Sequence, residues 1–417
     1  MKLRSIITVT LLFVLLILNP FTWLYFFDHD GLLSLESKII LLIIDLFIIF
    51  FILMNYRYGA KVLLFNIFFS GIIIFVFELK FGNWMENYNI EKLSIPYMNS
   101  TYKFSVKDLY PWDEDYVIYR RDKYGFRSKY ESVEDIDILT IGGSTVDQIY
   151  ISEGYTFQDV MQREFQNNGK SIDIVNAGID GHSTVGHIIF FDYWFGQIPN
   201  FRPKYILVYV GGNDFYNVIF SERIKNFKNF RMQGSEGQKG VINYIRLNSI
   251  SYHFIRTIIG FCITKNNFHG YVSFDFQDWT DELVLENPEV LLKIGLQQYQ
   301  ERLFELSNKI INFGSKPIFV SHSARRSYDF VDGTLLGMKN FAAFDGHNIN
   351  GTDYFKIMEI MHGITEKVAK DVDAIYLNLF EELSFDLNED FYDPIHTTPK
   401  GSEKIGKYIF EQLNYLF

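Results

Sequence analysis

The sequence predicts an α/β domain, a five-stranded parallel sheet sandwiched by helices, preceded by N-terminal transmembrane helices. Three observations predict it. Strand-like and helix-like patterns alternate from Ile136 to the end of the chain. The strand-like runs are short and continuously apolar, as in "YILVYV" at Tyr205–Val210, which suits strands buried on both faces. The first 80 residues concentrate long apolar runs with few charges.

The anchor comes first in the chain. Ser5 to Phe27 carries no charge and is long enough to cross a hydrocarbon core of ~30 Å. Ile39 to Tyr56 is interrupted only by Asp45, and Val62 to Phe77 is almost wholly apolar. These predict about three membrane helices within residues 1–80, the second and third forming a hairpin. A cleaved signal peptide fits the first run less well, because no small-x-small cleavage site follows it. Lys2, Arg4, Arg57 and Lys61 flank the runs on one side, whereas the intervening "DHDGLLSLESK" is acidic. The positive-inside rule then puts the N-terminus in the cytoplasm and everything after about Lys80 outside it. Asp45 is expected near a helix end, reaching interfacial water.

Composition excludes some functions. The formal net charge of −11 leaves no basic field to displace counterions from phosphates, so no nucleic-acid partner is expected. A single cysteine, Cys262, permits no intrachain disulfide. No Cys/His cluster has zinc-site spacing, and Asp345 with His347 lacks a third ligand, so neither metal nor cofactor is expected.

Residues 81–135 read as a connecting segment with a short hairpin around "DYVIYRRDKYGFRS". Its basic cluster, Arg120, Arg121, Lys123 and Arg127, reads as a solvated face with one arginine packed on the next domain; contact with anionic headgroups is the alternative. The domain at 136–417 follows. Strands are expected at Ile136–Ile141, Ile172–Val175, Tyr205–Val210, Pro317–Ser321 and Ala374–Asn378. Helices are expected at Phe157–Asn167, Thr184–Phe195, Pro288–Phe313, Tyr354–Asp371 and Lys400–Leu416. An interval at about 215–286 contributes no strand of the main series and reads as an insertion. Within it Gly240–Ile263 suits an amphipathic helix that packs on the domain, covers the site or rests on the bilayer.

In an open parallel sheet, ligands gather beyond the carboxyl ends of the strands. "GGST" with Ser144 follows the first strand, "NAGIDGHST" with Gly181 the second, and "GGNDF" with Asn213 the third. "DPIHTTPKG", with Asp393 and His396, precedes the last helix. Acyl transfer needs these parts: a serine hydroxyl, an imidazole to take its proton and a carboxylate to orient the imidazole. It also needs donors for the oxyanion. The backbone N–H groups of Ser144 and Gly181 and the amide of Asn213 are the candidates. Gly142 and Gly143 allow the tight turn that presents Ser144. Singly, each motif is ordinary turn chemistry; their order along the sheet carries the inference.

The four blocks resemble those of the SGNH hydrolase superfamily, the GDSL-type esterases and lipases, over roughly Ile136 to Phe417. The resemblance implies a flavodoxin-like sheet between helices. It also implies a catalytic triad of Ser144, Asp393 and His396 and an oxyanion hole from Ser144, Gly181 and Asn213. The chain departs from the pattern at the first block, where Gly143 replaces the motif aspartate and Thr145 the leucine; in this it is similar to members found beside bacterial surface-polysaccharide machinery. Asp147 is a candidate to replace the lost hydrogen bonding. The G-x-S-x-G elbow of the α/β-hydrolase fold is absent from the sequence.

His182 and His187 read as neighbours of the second block; His322 ends the fourth strand and faces the same edge, substrate contact being its less favoured reading. The expected activity is therefore a membrane-anchored serine esterase. It removes an acyl group, acetyl by expectation, from an extracytoplasmic glycan or other small ester. An O-acyltransferase of surface polysaccharide would use the same triad, and a non-catalytic glycan-binding or assembly component would keep only the fold.

Overall fold

The structure is a computed structural model. It describes residues 5–12, 35–82, 84, 95, 98–113, 115–221, 245, 248–267, 278–322, 327–344 and 347–417. Near the N-terminus, residues 5–12 are helical, followed by α1 (Leu35–Tyr58) and α2 (Ala60–Phe81). Most of the first apolar run lies outside the described residues. Gly59 alone, at φ +87°, separates α1 from α2. The Arg57–Lys61 stretch is thus a helix junction. Among the described residues, one helix, α2, is long and apolar enough to cross a membrane. Asp45 lies in the body of α1 and is buried, contrary to the expectation that it reaches water.

The main sheet contains β1 (Ile138–Ile141), β2 (Ile174–Asn176), β3 (Tyr205–Val210), β4 (Lys316–Ser321) and β5 (Ile375–Leu377). All pair in parallel, in the order β5-β4-β3-β1-β2. This is the doubly wound flavodoxin-like order, whose switch point falls between β1 and β3. The strands are so apolar because both faces are covered. One face meets α5 (Thr184–Tyr193), α8 (Lys293–Asn312) and α9 (Gly351–Asp371) through a core that includes Leu139, Ile206, Val208, Phe319 and Tyr299. The other meets α4 (Phe157–Asn167) and α10 (Pro399–Leu413) through Ile138, Leu207, Ile318, Met161 and Ile409. Alternate residues of one strand thereby serve opposite cores.

Helix starts follow their caps. Thr156 and Asp159 close a capping box at α4, and Asn350 with Asp353 does the same at α9, three residues earlier than apolar periodicity alone placed it. Two short strands, Tyr328–Val331 and Thr334–Met338, pair between β4 and α9, where the sequence reading had none.

The segment before β1 is more than a connector. Its strand Tyr116–Arg121 pairs antiparallel with Ser100–Ser105 upstream, not within the "DYVIYRRDKYGFRS" stretch. This hairpin forms a third core with Tyr150, Ile151 and Tyr392, residues beside the nucleophile and histidine loops. Helix α6 (Gly212–Ile219) runs into the 215–286 interval and α7 (Ile250–Cys262) lies within it, laying Gly260 against the carbonyl of Thr101. Of the stretch Gly240–Ile263, residues 240–244 and 246–247 lie outside the described residues.

Candidate active site

Ser144 opens a single helical turn, α3 (Ser144–Asp147), at the carboxyl end of β1. Its Oγ lies 2.7 Å from Nε2 of His396, and Nδ1 of the same ring lies 2.6 Å from Oδ2 of Asp393. The second carboxylate oxygen, Oδ1, accepts from the backbone N–H groups of His396 at 2.7 Å and Ile395 at 2.9 Å. The carboxylate is thereby fixed by the loop it belongs to, which explains the three-residue spacing of "DPIH". Tyr392 stacks on the imidazole with centroids 5.7 Å apart and planes 9° from parallel. With Nδ1–H held by Asp393, Nε2 faces the serine hydroxyl as an acceptor for its proton.

Asn213 lies in the first turn of α6 and faces the serine turn. Its Nδ2 donates to the carbonyl of His182 at 2.8 Å, which aims the amide and leaves its second N–H for a ligand. A Cβ at position 143 would sit 2.4 Å from this Nδ2 and 2.9 Å from the His182 carbonyl. Gly143 is therefore required by the approach of Asn213, which gives the missing motif aspartate a physical reason. Gly181 lies on an exposed turn at φ +71°, where a side chain would be strained. The cleft over Ser144 is lined by His182, not Gly181, together with Asn213, Tyr209, His322 and Ile395.

Asp147 does not replace the lost hydrogen bonding of the turn. Its Oδ1 accepts from the Tyr119 hydroxyl at 2.8 Å and from the Arg121 guanidinium at 2.8 Å, with both charged side chains out of solvent. Burial pushes the Tyr119 phenol well above its ordinary range, so it stays a neutral donor. Arg121 also donates to the carbonyls of Gly125 and Gly178. A Cβ on Gly178 would come within 2.3 Å of the Asp147 amide nitrogen, so the second block lies directly on the nucleophile turn. Arg127 closes the other end, donating to the carbonyls of Asp147 and Gln148, both at 2.6 Å, and to Glu153 at 2.9 Å. Where the sequence suggests that the basic cluster is a solvated face with one packed arginine, two are packed: Arg121 and Arg127 are buried, while Lys123 is half-buried and Arg120 exposed.

Sequence reasoning missed several of these groups. Gln148 adopts a left-handed conformation, accepts from the Phe157 N–H at 3.0 Å and donates to Ser402 of α10, tying the serine turn to the helix behind His396. Asp214 accepts from the Thr184 hydroxyl at 2.6 Å and joins the second and third blocks, while Arg302 donates to that hydroxyl at 2.8 Å. Both followed recognised motifs directly, but nothing local marks their long-range partners.

Three histidines surround the site without joining the proton chain. His322 is buried, stacks on Tyr209 and has its pKa lowered to about 3, by burial first and then by the charge of His396. A neutral His322 offers no repulsion to the imidazolium that forms at His396. His362 accepts from the His322 N–H at 3.2 Å and is lowered to about 3, chiefly by burial. Burial likewise lowers His187 to about 4. Among the described residues no group of His, Cys, Asp and Glu could hold a metal, while Asp345 and the side chain of His347 lie outside them.

No family model and no curated protein matches the chain. Solved structures do. TesA matches at a TM-score of 0.37 and 11% identity, covering 67% of this chain and 99% of its own. The psychrotrophic esterase EstA from Pseudoalteromonas sp. matches at 0.38 and 11%, covering 68% and 98%. Axe2, an acetylxylan esterase from Geobacillus stearothermophilus, matches at 0.37 and 11%, covering 67% and 94%. At TM-scores this low the site stands on its own geometry, and that geometry has the strand order and the Ser–His–Asp relay that the four sequence blocks imply.

Proposed function

We propose that this chain is a membrane-anchored serine esterase that removes a small acyl group, acetyl by preference, from an extracytoplasmic glycan. The supporting observation is the unbroken relay from Ser144 through His396 to Asp393, at 2.7 and 2.6 Å. In the first half-reaction Ser144 Oγ attacks the ester carbonyl while His396 Nε2 takes its proton. The oxyanion is met by the Ser144 N–H and the second N–H of Asn213. Collapse expels the sugar oxygen, which takes the proton from His396, and leaves acyl-Ser144. In the second half-reaction His396 deprotonates water, which releases the acid and restores the serine.

Acetyl is favoured because the cleft at Ser144 has a volume of only ≈20 Å³, on the scale of one water or methyl group. The anchor reading rests on α2 and on the apolar runs before it. The multi-pass arrangement and the cytoplasmic N-terminus are inferred from the distribution of Lys and Arg.

The deciding experiment compares 4-nitrophenyl acetate, butyrate and octanoate with the full chain in detergent, then repeats acetate turnover with excess oligosaccharide. Free acetate as the main product supports the esterase. Acetylated sugar as the main product would make it a transferase, and no turnover would leave a non-catalytic binding protein. A periplasm-type reporter fused after Phe417 should be active and the same reporter fused before Met1 silent.

A further inference from the structure

A second cleft lies away from Ser144, where the membrane-type helices meet the catalytic domain. Its volume is ≈860 Å³, and it begins at Lys80 and Phe81, the last residues of α2. The hairpin and its following loop form one wall and α7 the other. Five cationic residues line it, Lys80, Arg120, Arg121, Lys123 and Lys129, of which Arg121 turns its guanidinium away to Asp147. Two carboxylates also line it. Asp122 is already engaged, accepting from the Tyr124 and Phe126 N–H groups at 2.9 and 2.8 Å and from the Tyr130 hydroxyl, whereas Glu131 is exposed at the rim.

The position of this cleft relative to the bilayer follows from α2. If Ala60–Phe81 spans the membrane, Phe81 marks the edge of the hydrocarbon and Lys80 reaches toward the headgroups. The α7 helix is held at that level by Glu78 of α2, whose carboxylate accepts from the Ser249 hydroxyl and the Ser251 N–H, both at 2.9 Å. One side of α7 turns His253 and Thr257 to the cleft. On another, Phe254 is 65% and Ile255 55% exposed, an apolar pair on a helix fixed to the end of a membrane span. Such a helix lies in the interface with its apolar residues among the acyl chains. A cationic cleft that opens beside it fits the phosphate of a lipid whose tails continue past Phe254 and Ile255.

We propose that this cleft binds the headgroup of an anionic phospholipid and so seats the catalytic domain against the bilayer. The proposal rests on the membrane reading of α2 and is independent of the ester chemistry. Carbonate extraction of membranes reports the anchor separately.

The test uses the full chain in detergent, titrated calorimetrically with short-chain phosphatidylglycerol, the matching phosphatidylcholine, and inorganic phosphate. Phosphatidylglycerol should bind at least about ten times more tightly than phosphatidylcholine or phosphate, as expected when several cations meet one anionic headgroup. Arg120→Ala with Lys129→Ala should weaken phosphatidylglycerol about tenfold, with 4-nitrophenyl acetate turnover and unfolding temperature unchanged. Equal binding of the two lipids, or an unaffected double variant, would overturn the proposal. Phosphate binding as tightly as phosphatidylglycerol would reduce the cleft to a free-anion site and overturn it too. Should the alanine pair fail to fold, Arg120→Gln with Lys129→Gln is the substitute, and the lipid comparison on the natural chain decides by itself.

Discussion

The guanidinium of Arg121 lies 2.8 Å from the carboxylate of Asp147, three residues beyond Ser144, and neither side chain reaches solvent. Arg121 belongs to the hairpin that precedes the α/β domain, yet it bonds to the nucleophile turn and to Gly178 of the second block. The hairpin is therefore part of the site's frame. It acts through the turn and touches no substrate.

Arg121→Lys keeps the charge but loses the planar fork that reaches several acceptors at once. The expected outcome is a folded protein with kcat down about tenfold and KM little changed, the pattern for loss of alignment felt in the transition state. Fluorophosphonate labelling of Ser144 should slow by a similar factor. Faster unfolding or lower stability with normal kcat would assign Arg121 a purely structural role. Arg121→Ala should be far more damaging, because it strands Asp147 as a buried charge, at a cost of about 3–5 kcal/mol.

Ser144→Ala should abolish fluorophosphonate labelling while circular dichroism stays unchanged. Ser144 is half-buried at the start of α3, and its hydroxyl is engaged with the His396 imidazole. Persistent labelling at another residue would remove it from the mechanism.

The 2.4 Å approach of a Cβ at position 143 to Asn213 Nδ2 couples two residues that sequence treats separately. Asn213→Ala should lower kcat by about two orders of magnitude, the usual consequence of losing one oxyanion donor. Gly143→Ala should lower it comparably by displacing the same amide. In combination the two should cost no more than the larger alone, since the second change removes nothing that remains. Additive losses, measured as kcat ratios in a double-mutant cycle, would show that Asn213 and Gly143 serve different ends.

The parallel sheet and its two helical layers were legible because each strand is buried on both faces and each helix carries one apolar stripe. Tyr205–Val210 and Phe157–Asn167 were read to the residue for that reason. Ends set by polar capping were read less well, as at Asn350, where a side-chain hydrogen bond and not periodicity starts α9. Ser144, Asn213 and His396 could be nominated because each lies beside a local turn signal. The clamp made by Arg121, Arg127 and Gln148 was not legible, since a buried arginine looks like a surface arginine until its carbonyl partners are in place. Strand Ser100–Ser105 escaped notice for a similar reason: "STYKFS" is ordinary alternation, and only its pairing with Tyr116–Arg121 and the packing of α7 bury it.

Acid should unfold this domain through histidines that take no part in the proton relay. His187, His322 and His362 are buried as neutral rings, with pKa values lowered to about 4, 3 and 3, in each case chiefly by burial. In the unfolded chain each returns to about 6.5. A lowered folded pKa means that the unfolded state binds more protons between those limits. The stability these rings allow is therefore intact above about pH 6.5 and is lost as pH falls toward the folded values. With all three titrating only in the unfolded chain, stability should fall by about 4 kcal/mol per pH unit between roughly pH 6 and 4. Urea unfolding of the full chain in detergent at half-unit pH steps measures the slope. His362→Gln, remote from Ser144 behind His322, should flatten it by about a third, since one of the three buried rings no longer titrates. An unchanged slope in that variant would mean that His362 is protonated in the folded protein, and that burial at this position does not exclude the charge.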